Sequence, residues 1–301
     1  MAQTVTDDFE LGDSTAPPLG GTGDIDSLST IAGPDWSELF NADGSHKDAV
    51  DALGVAPGNG IPDFIDLYQG HDALFIGDDI SVGSNTDLTI RYGSGNVETG
   101  LVGGQTDLGN AYVYVANNAA GERVLYAGLE RMSTEAVTVE MEFNQGLFRL
   151  GHGWPGVTGW EIVGAQTAKD MRLTIDIAAG GTLGAVGVDS WEDPESDGTF
   201  TWTRKLTLGA EGCNAADAQA VPPIDADTLC GFRNDLVVAG GEWPSYDASG
   251  NPVTEIEADC FYEVGINVGK LLGVTDPAYD YTTVQLRTTD DLAFGYFGEG
   301  N

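Results

Sequence analysis

An all-β fold is what this sequence predicts: an antiparallel, jelly-roll-like β-sandwich with an irregular, partly helical N-terminal segment. Three observations carry it. Apolar residues recur with period two in stretch after stretch beyond about residue 86. The stretches are separated by Gly-rich turns in a chain with 43 glycines. No sustained helical period runs between them. Apolar on one face and polar on the other is the pattern of two sheets packed face to face.

Taken in order, residues 1–34 are Gly, Asp, Thr and Pro with few apolar anchors and read as an extended arm. Its one strand-like piece, Thr4 to Leu11, places Val5, Phe9 and Leu11 on one face, as an assembly strand would. Such a piece either covers an edge of its own domain or adds to a neighbouring copy, and covering its own edge needs no partner. Residues 35–301 read as a single sandwich domain, with 35–85 an irregular, helical insertion. Trp36, Leu39 and Phe40, then Phe64, Ile65 and Leu67, give that insertion its helical look.

The sandwich strands follow. Ala136–Asn144 aligns Val137, Val139, Met141 and Phe143, and Met171–Ile177 aligns Met171, Leu173, Ile175 and Ile177. Phe200, Trp202, Leu206 and Leu208 form a further inward row, as do Cys260, Tyr262, Val264, Ile266 and Val268. Other strands are expected at 88–92, 111–116, 124–131, 236–239, 281–287 and 292–297. A short helical turn is expected at Val268–Leu272.

Charge narrows the partners. With 48 acidic and 12 basic residues the net charge is −36, which repels nucleic acid and anionic lipid. Cations and basic surfaces are favoured instead. Asp outnumbers Glu and lysines are few, as in a protein living in high salt or in an acidic marine secretome. No run of 18 apolar residues occurs, so no membrane insertion by a helix is expected. Met1-Ala2-Gln3-Thr4 has no basic leader pattern. A start Met joined to a mature secreted sequence reads this way, and so does a cytoplasmic protein. Cys213 and Cys230 bracket an irregular loop and suit a disulfide, worth about 3 kcal/mol by chain entropy. The alternative is three reduced thiols, and Cys260 reads as a buried one in either case.

Several short motifs stand in order along the chain: Phe9-Glu10-Leu11, Asp35-Trp36-Ser37-Glu38-Leu39-Phe40, and Asn110-Ala111-Tyr112-Val113-Tyr114. Leu125-Tyr126-Ala127-Gly128-Leu129-Glu130-Arg131, Phe143-Asn144-Gln145 and Phe261-Tyr262-Glu263-Val264-Gly265-Ile266-Asn267-Val268 follow. The ordered set resembles a family of large secreted bacterial and archaeal surface proteins. The resemblance implies an extracellular or cell-surface β-sandwich, adhesin-like and with no established catalysis. Its partners would be other copies of itself or other surface proteins, or a polysaccharide.

Candidate chemistry is sparse. Asn59-Gly60-Ile61-Pro62-Asp63-Phe64-Ile65-Asp66 looks like the second half of a calcium loop, whose Gly allows the sharp turn between oxygen ligands. Asp63 and Asp66 lack the first-half carboxylates, and an Asx-stabilised turn is the simpler reading there. Asp78, Asp79, Asp87, Asp107 and Asn110 stand at the ends of neighbouring expected strands and would form an oxygen cage of their own, or merely cap turns. Glu140 and Glu142 share a strand face about 7 Å apart, near the spacing of glycosidase carboxyls, but read first as a solvated face. Glu130 needs a partner if buried, and Arg131 a loop carbonyl or carboxylate. His46, His71 and His152 are isolated; Trp154, Trp160, Trp191 and Trp243 read as loop or core packing, or as sugar-stacking surface. The expected function is a structural or adhesive surface domain, capable of filament assembly and stabilised by calcium. A carbohydrate-binding module is the second reading and a glycoside hydrolase or lyase the third.

Overall fold

Strands form where the alternation is strong, and the computed structural model places them in two packed sheets. Described residues are 9, 11, 35–40, 72–76, 87–90, 96–100, 108–118, 120–146, 149–151, 160–163, 166–220, 223–247, 251–274, 281, 283–288 and 292–296. The first half of these runs α1 (Trp36–Leu39), β1 (Asp72–Ile76), β2 (Asp87–Ile90), β3 (Asn96–Gly100), β4 (Leu108–Asn117), β5 (Arg123–Arg131), β6 (Val137–Asn144), β7 (Arg149–Gly151), β8 (Trp160–Val163), β9 (Met171–Ile177), β10 (Leu183–Glu192) and β11 (Thr201–Leu208). The second half runs β12 (Gly212–Cys213), β13 (Leu229–Arg233), β14 (Val238–Ala239), β15 (Ser245–Tyr246), β16 (Pro252–Val253), β17 (Glu255–Ile256), β18 (Phe261–Asn267), α2 (Val268–Leu272), β19 (Thr283–Arg287) and β20 (Leu292–Tyr296).

One six-stranded sheet has the order β1-β4-β5-β18-β13-β12, and the other β11-β10-β9-β6-β19-β20. A four-stranded sheet, β2-β3-β8-β7, and two small hairpin-like pairs complete the described sheets. The all-β reading is met, with every described pairing in the two large sheets antiparallel. Between the large sheets lies the main core. Val113, Leu125 and Val264 come from the first sheet and Val139, Leu173 and Val186 from the second.

A second core covers the opposite face of the first sheet. Tyr112, Tyr114, Tyr126 and Phe261 point there and are covered by Phe9, Leu11, Trp36, Leu39, Phe40 and Trp243. The first sheet is therefore buried on both faces. This explains why β5 is buried at all nine positions and β18 at all seven. Burying each large apolar side chain contributes about 1.5–3 kcal/mol relative to exposure, so this cover is a major stabilising layer.

Phe9 sits at a bend and Leu11 in irregular chain, both buried on this face; Val5 lies outside the described residues. The arm's described anchors thus plug into the face of their own domain's sheet rather than forming an edge strand. Steric fit selects this: a Cβ on Gly265 would lie 2.4 Å from Leu11 Cδ1.

Four expectations change. The helical reading of 35–85 does not extend to Asp72–Ile76, which is strand β1 paired with β4. A short apolar run suits either structure, and the open edge of β4 decides it. Strand β10 was not expected, because Gly184 and Gly187 interrupt its pattern. Phe200 and Trp202 do not point inward. β11 carries an extra residue at Lys205, where Val188 pairs with Leu206 but Asp189 with Arg204. The bulge flips sidedness, leaving Leu206 and Leu208 toward the core and turning Arg204 and Trp202 outward. The expected strand at 236–239 is only Val238–Ala239, with Leu236 and Val237 exposed. The helical turn at Val268–Leu272 does form. The Asn267 side chain accepts from Lys270 N at its start, and Gly273 closes it at φ 61°.

Candidate functional site

The motifs that lie far apart in the chain meet in the second core. Asp35 caps α1 by accepting from the Trp36 N–H at 2.6 Å, which aims the indole at the sheet. There it lies over Gly128, where a Cβ would come within 2.9 Å of both Trp36 and Tyr112. The Trp36 indole N–H donates to Glu263 Oε1 at 2.7 Å. Trp243 donates to the Tyr112 hydroxyl at 2.6 Å and to Glu130 Oε1 at 3.1 Å. Asn110 Nδ2 donates to Glu130 Oε2 at 3.1 Å and to the Pro244 carbonyl at 2.9 Å. The Tyr112 hydroxyl also donates to Glu130.

Two buried glutamates are thus held by indoles and neighbouring polar groups. Burial pushes the Glu130 carboxyl up to about 7, against the pull of Trp243, Ser245 and Asn110. The need for a Glu130 partner is met by this network, and Arg131 Nη1 donates to the Glu135 carbonyl at 2.8 Å. Beside Glu130 opens a cavity of about 700 Å³ lined in part by Arg131, Tyr246, Asp247, Glu257 and Cys260. Burial raises the Cys260 thiol to about 11, which removes it as a nucleophile near neutral pH.

Across the molecule, the outward face of the second sheet is a charge ladder. Register places Glu142, Arg172, Asp189 and Arg204 in one row over four strands, alternating in sign. Arg172 Nη2 lies 3.0 Å from Asp189, and Arg204 Nε 2.6 Å from the same carboxylate. The two glutamates singled out as a pair do share this face. Glu140 meets Arg287 at 2.5 Å and Arg172 at 3.8 Å, while Glu142 accepts from Gln166 at 3.1 Å and lies 3.9 Å from Arg287. Burial moves the Glu142 carboxyl above the usual range, opposed by Arg287.

At the end of the ladder, Trp191, Phe200 and Trp202 cluster. Trp191 and Trp202 meet edge to face at 5.3 Å, and Trp191 and Phe200 lie near parallel at 6.4 Å. Trp191 was expected in a loop but stands within β10, while Trp243 is buried at the glutamate. Trp160 lies in β8, and Trp154 is outside the described residues.

Cys213 and Cys230 form the disulfide, bridging paired positions of β12 and β13. Asp227 sits beside their sulfurs, but both sulfurs are committed to the S–S bond and offer no thiolate to a metal. Cys260 is a buried free thiol. Of the calcium candidates, Asp87 opens β2, while Asp63, Asp66, Asp78, Asp79 and Asp107 lie outside the described residues, as do His46, His71 and His152. Among the described residues, no helix is long and apolar enough to cross a membrane. Compared with known families, curated proteins and solved structures, the chain matches none.

The Glu130 network and the bulge-built aromatic cluster escaped sequence reading. The first carried a signal: Tyr112, Tyr126, Glu130 and Glu263 fall on the supposedly polar face of their strands. The second carried one signal: unbroken alternation from Leu206 and Leu208 would put the charged Arg204 in the core, a cost that an extra residue in the ladder removes.

Proposed function

We propose that this chain is an extracellular structural or adhesive surface domain that acts by holding and binding, without catalysis. The observation that carries this is the state of Glu140 and Glu142. A glycosidase leaves one carboxyl free to give a proton and the other free to attack or activate water. Here both are engaged by Arg287, with Arg172 and Gln166 beside them. Two further features support the reading. A disulfide persists in an oxidising compartment, in keeping with secretion. The ordered motifs converge on a packing unit in which Glu130 and Glu263 bond tryptophan indoles, a use of acids that builds structure.

Calcium stabilisation belongs to the proposal on the strength of the acidic turns alone. It predicts that millimolar calcium raises the melting temperature beyond NaCl of equal ionic strength. A melting curve indifferent to EDTA sinks it.

The main reading is tested by incubating the chain with a panel of polysaccharides while measuring reducing ends, beside adhesion of beads coated with it. The expected result is adhesion with no new reducing ends. Steady release that disappears in Glu142→Gln overturns the reading.

A further inference from the structure

A chain so rich in acids has little need to leave aromatic rings in water, yet Phe200 is 41% exposed and packs with the half-buried Trp191 and Trp202. The fold builds this cluster deliberately in the sense that regular alternation would have hidden part of it. Without the extra residue at Lys205, Trp202 would face the main core with Leu206 and Leu208. The bulge instead sets it opposite Trp191 on the outward face.

The flanking groups are held in place. The Arg172 guanidinium lies 4.9 Å from the Trp202 ring centroid and is itself bonded to Asp189 at 3.0 Å. Arg204 runs across Gly187, where a Cβ would collide with its guanidinium, and is bonded to the same Asp189. Its side chain is still 46% exposed, so it keeps part of its donor edge toward solvent. Lys205 pairs with Glu192 at 2.5 Å. The platform is therefore a cluster of rings set at angles to one another and bordered by fixed side chains, with Arg172 and Arg204 sharing Asp189 and Lys205 on Glu192.

We propose that Trp191, Phe200 and Trp202, bordered by the Arg204 guanidinium that the buried Asp189 holds in place, form a stacking platform for an uncharged polysaccharide. The inference rests on the reading of a non-catalytic binding domain and gives it a ligand class. A pyranose ring has an apolar C–H face that lies on an aromatic ring and a rim of hydroxyls that accept from a guanidinium such as that of Arg204. A polyanion is disfavoured, because the local charges are already paired and the whole chain stands at −36. A protein partner is disfavoured by size. The three partly exposed rings offer on the order of 200 Å² of open surface, against about 800 Å² per partner in a standard protein interface.

The test is native electrophoresis of the full chain in gels containing hydroxyethyl cellulose, galactomannan or xylan, with alginate as the polyanionic control. At least one neutral polymer should retard it and alginate should not. Phe200→Ser, at an exposed position, and Trp202→Ala should each weaken retardation about tenfold or more, as loss of a stacking ring does elsewhere. Trp202→Phe keeps a ring and should retain most of it, which separates stacking from folding. Leu236→Ser, an exposed apolar residue outside the cluster, should change nothing. No retardation by any neutral polymer, retardation by alginate alone, or full retardation of Phe200→Ser overturns the platform. Self-association in sedimentation that vanishes in Phe200→Ser overturns it in favour of a second copy as occupant. Release of reducing ends instead overturns the non-catalytic reading, so the two failures are told apart.

Discussion

Glu130→Gln should remove a pH-dependent cost that Glu130 places on the folded state. Its carboxyl ionises at about 7 in the fold against 4.5 when free, with burial the main cause. At about 1.4 kcal/mol per unit, the full difference is about 3 kcal/mol. The group is almost wholly buried, so solvent screening takes little of this. The sign follows from the raised value. The folded state holds the proton more tightly, so the contribution to stability is complete below 4.5 and is lost as pH rises through about 7. The assay is guanidinium unfolding followed by Trp fluorescence, run on both proteins at about pH 5 and about pH 9, conditions that bracket most of the titration. Guanidinium chloride screens the remaining acids, and the comparison at each pH subtracts them. The Gln variant should gain about 2–3 kcal/mol relative to the parent on going from the lower to the higher pH. Asn110 has to turn its amide, because it now faces a donor at one Glu130 oxygen position. That costs the same at both pH values and leaves the difference intact. A gap between the two proteins that does not change with pH refutes the reasoning.

Cys213→Ser with Cys230→Ser opens a link of sequence separation 17 and should cost about 3 kcal/mol in denaturant unfolding. A loss below about 1 kcal/mol contradicts the loop-entropy account. Gly128→Ala places a methyl 2.9 Å from both Trp36 and Tyr112 and should cost about 1–3 kcal/mol through overpacking. An unchanged thermal midpoint would show that Trp36 does not sit over Gly128. NaCl should raise the melting temperature, because the 48 acidic residues repel one another with only 12 basic ones among them. A midpoint that falls across the same salt range contradicts this.

Much of the sandwich was legible because β6 and β9 each show the sheet one apolar face, so alternation reports both strand and side. The first sheet was harder to read. Tyr112, Tyr126 and Glu263 look like the outward face of a one-sided sheet, and only the arm and α1 folding over them make that face a second core. Phe9 and Leu11 are apolar in the sequence, but which surface they cover depends on sheet residues more than a hundred positions away. At the candidate site, the shared face of Glu140 and Glu142 was legible, whereas their arginine partners lie on other strands.

Local chemistry therefore determined the strand content, the disulfide, the acidic surface and the capped turn at α2. These depend on residue type, on period, or on neighbours close in the chain. Tertiary structure alone decided the doubly covered sheet, the raised Glu130 carboxyl and the outward turn of Trp202. Burial on the second face comes from distant segments, desolvation depends on everything packed around a group, and a bulge exists only relative to the strand beside it. That last dependence is why one added residue at Lys205 moves an indole from the core to the surface, with only the inward-falling Arg204 to mark it in the sequence.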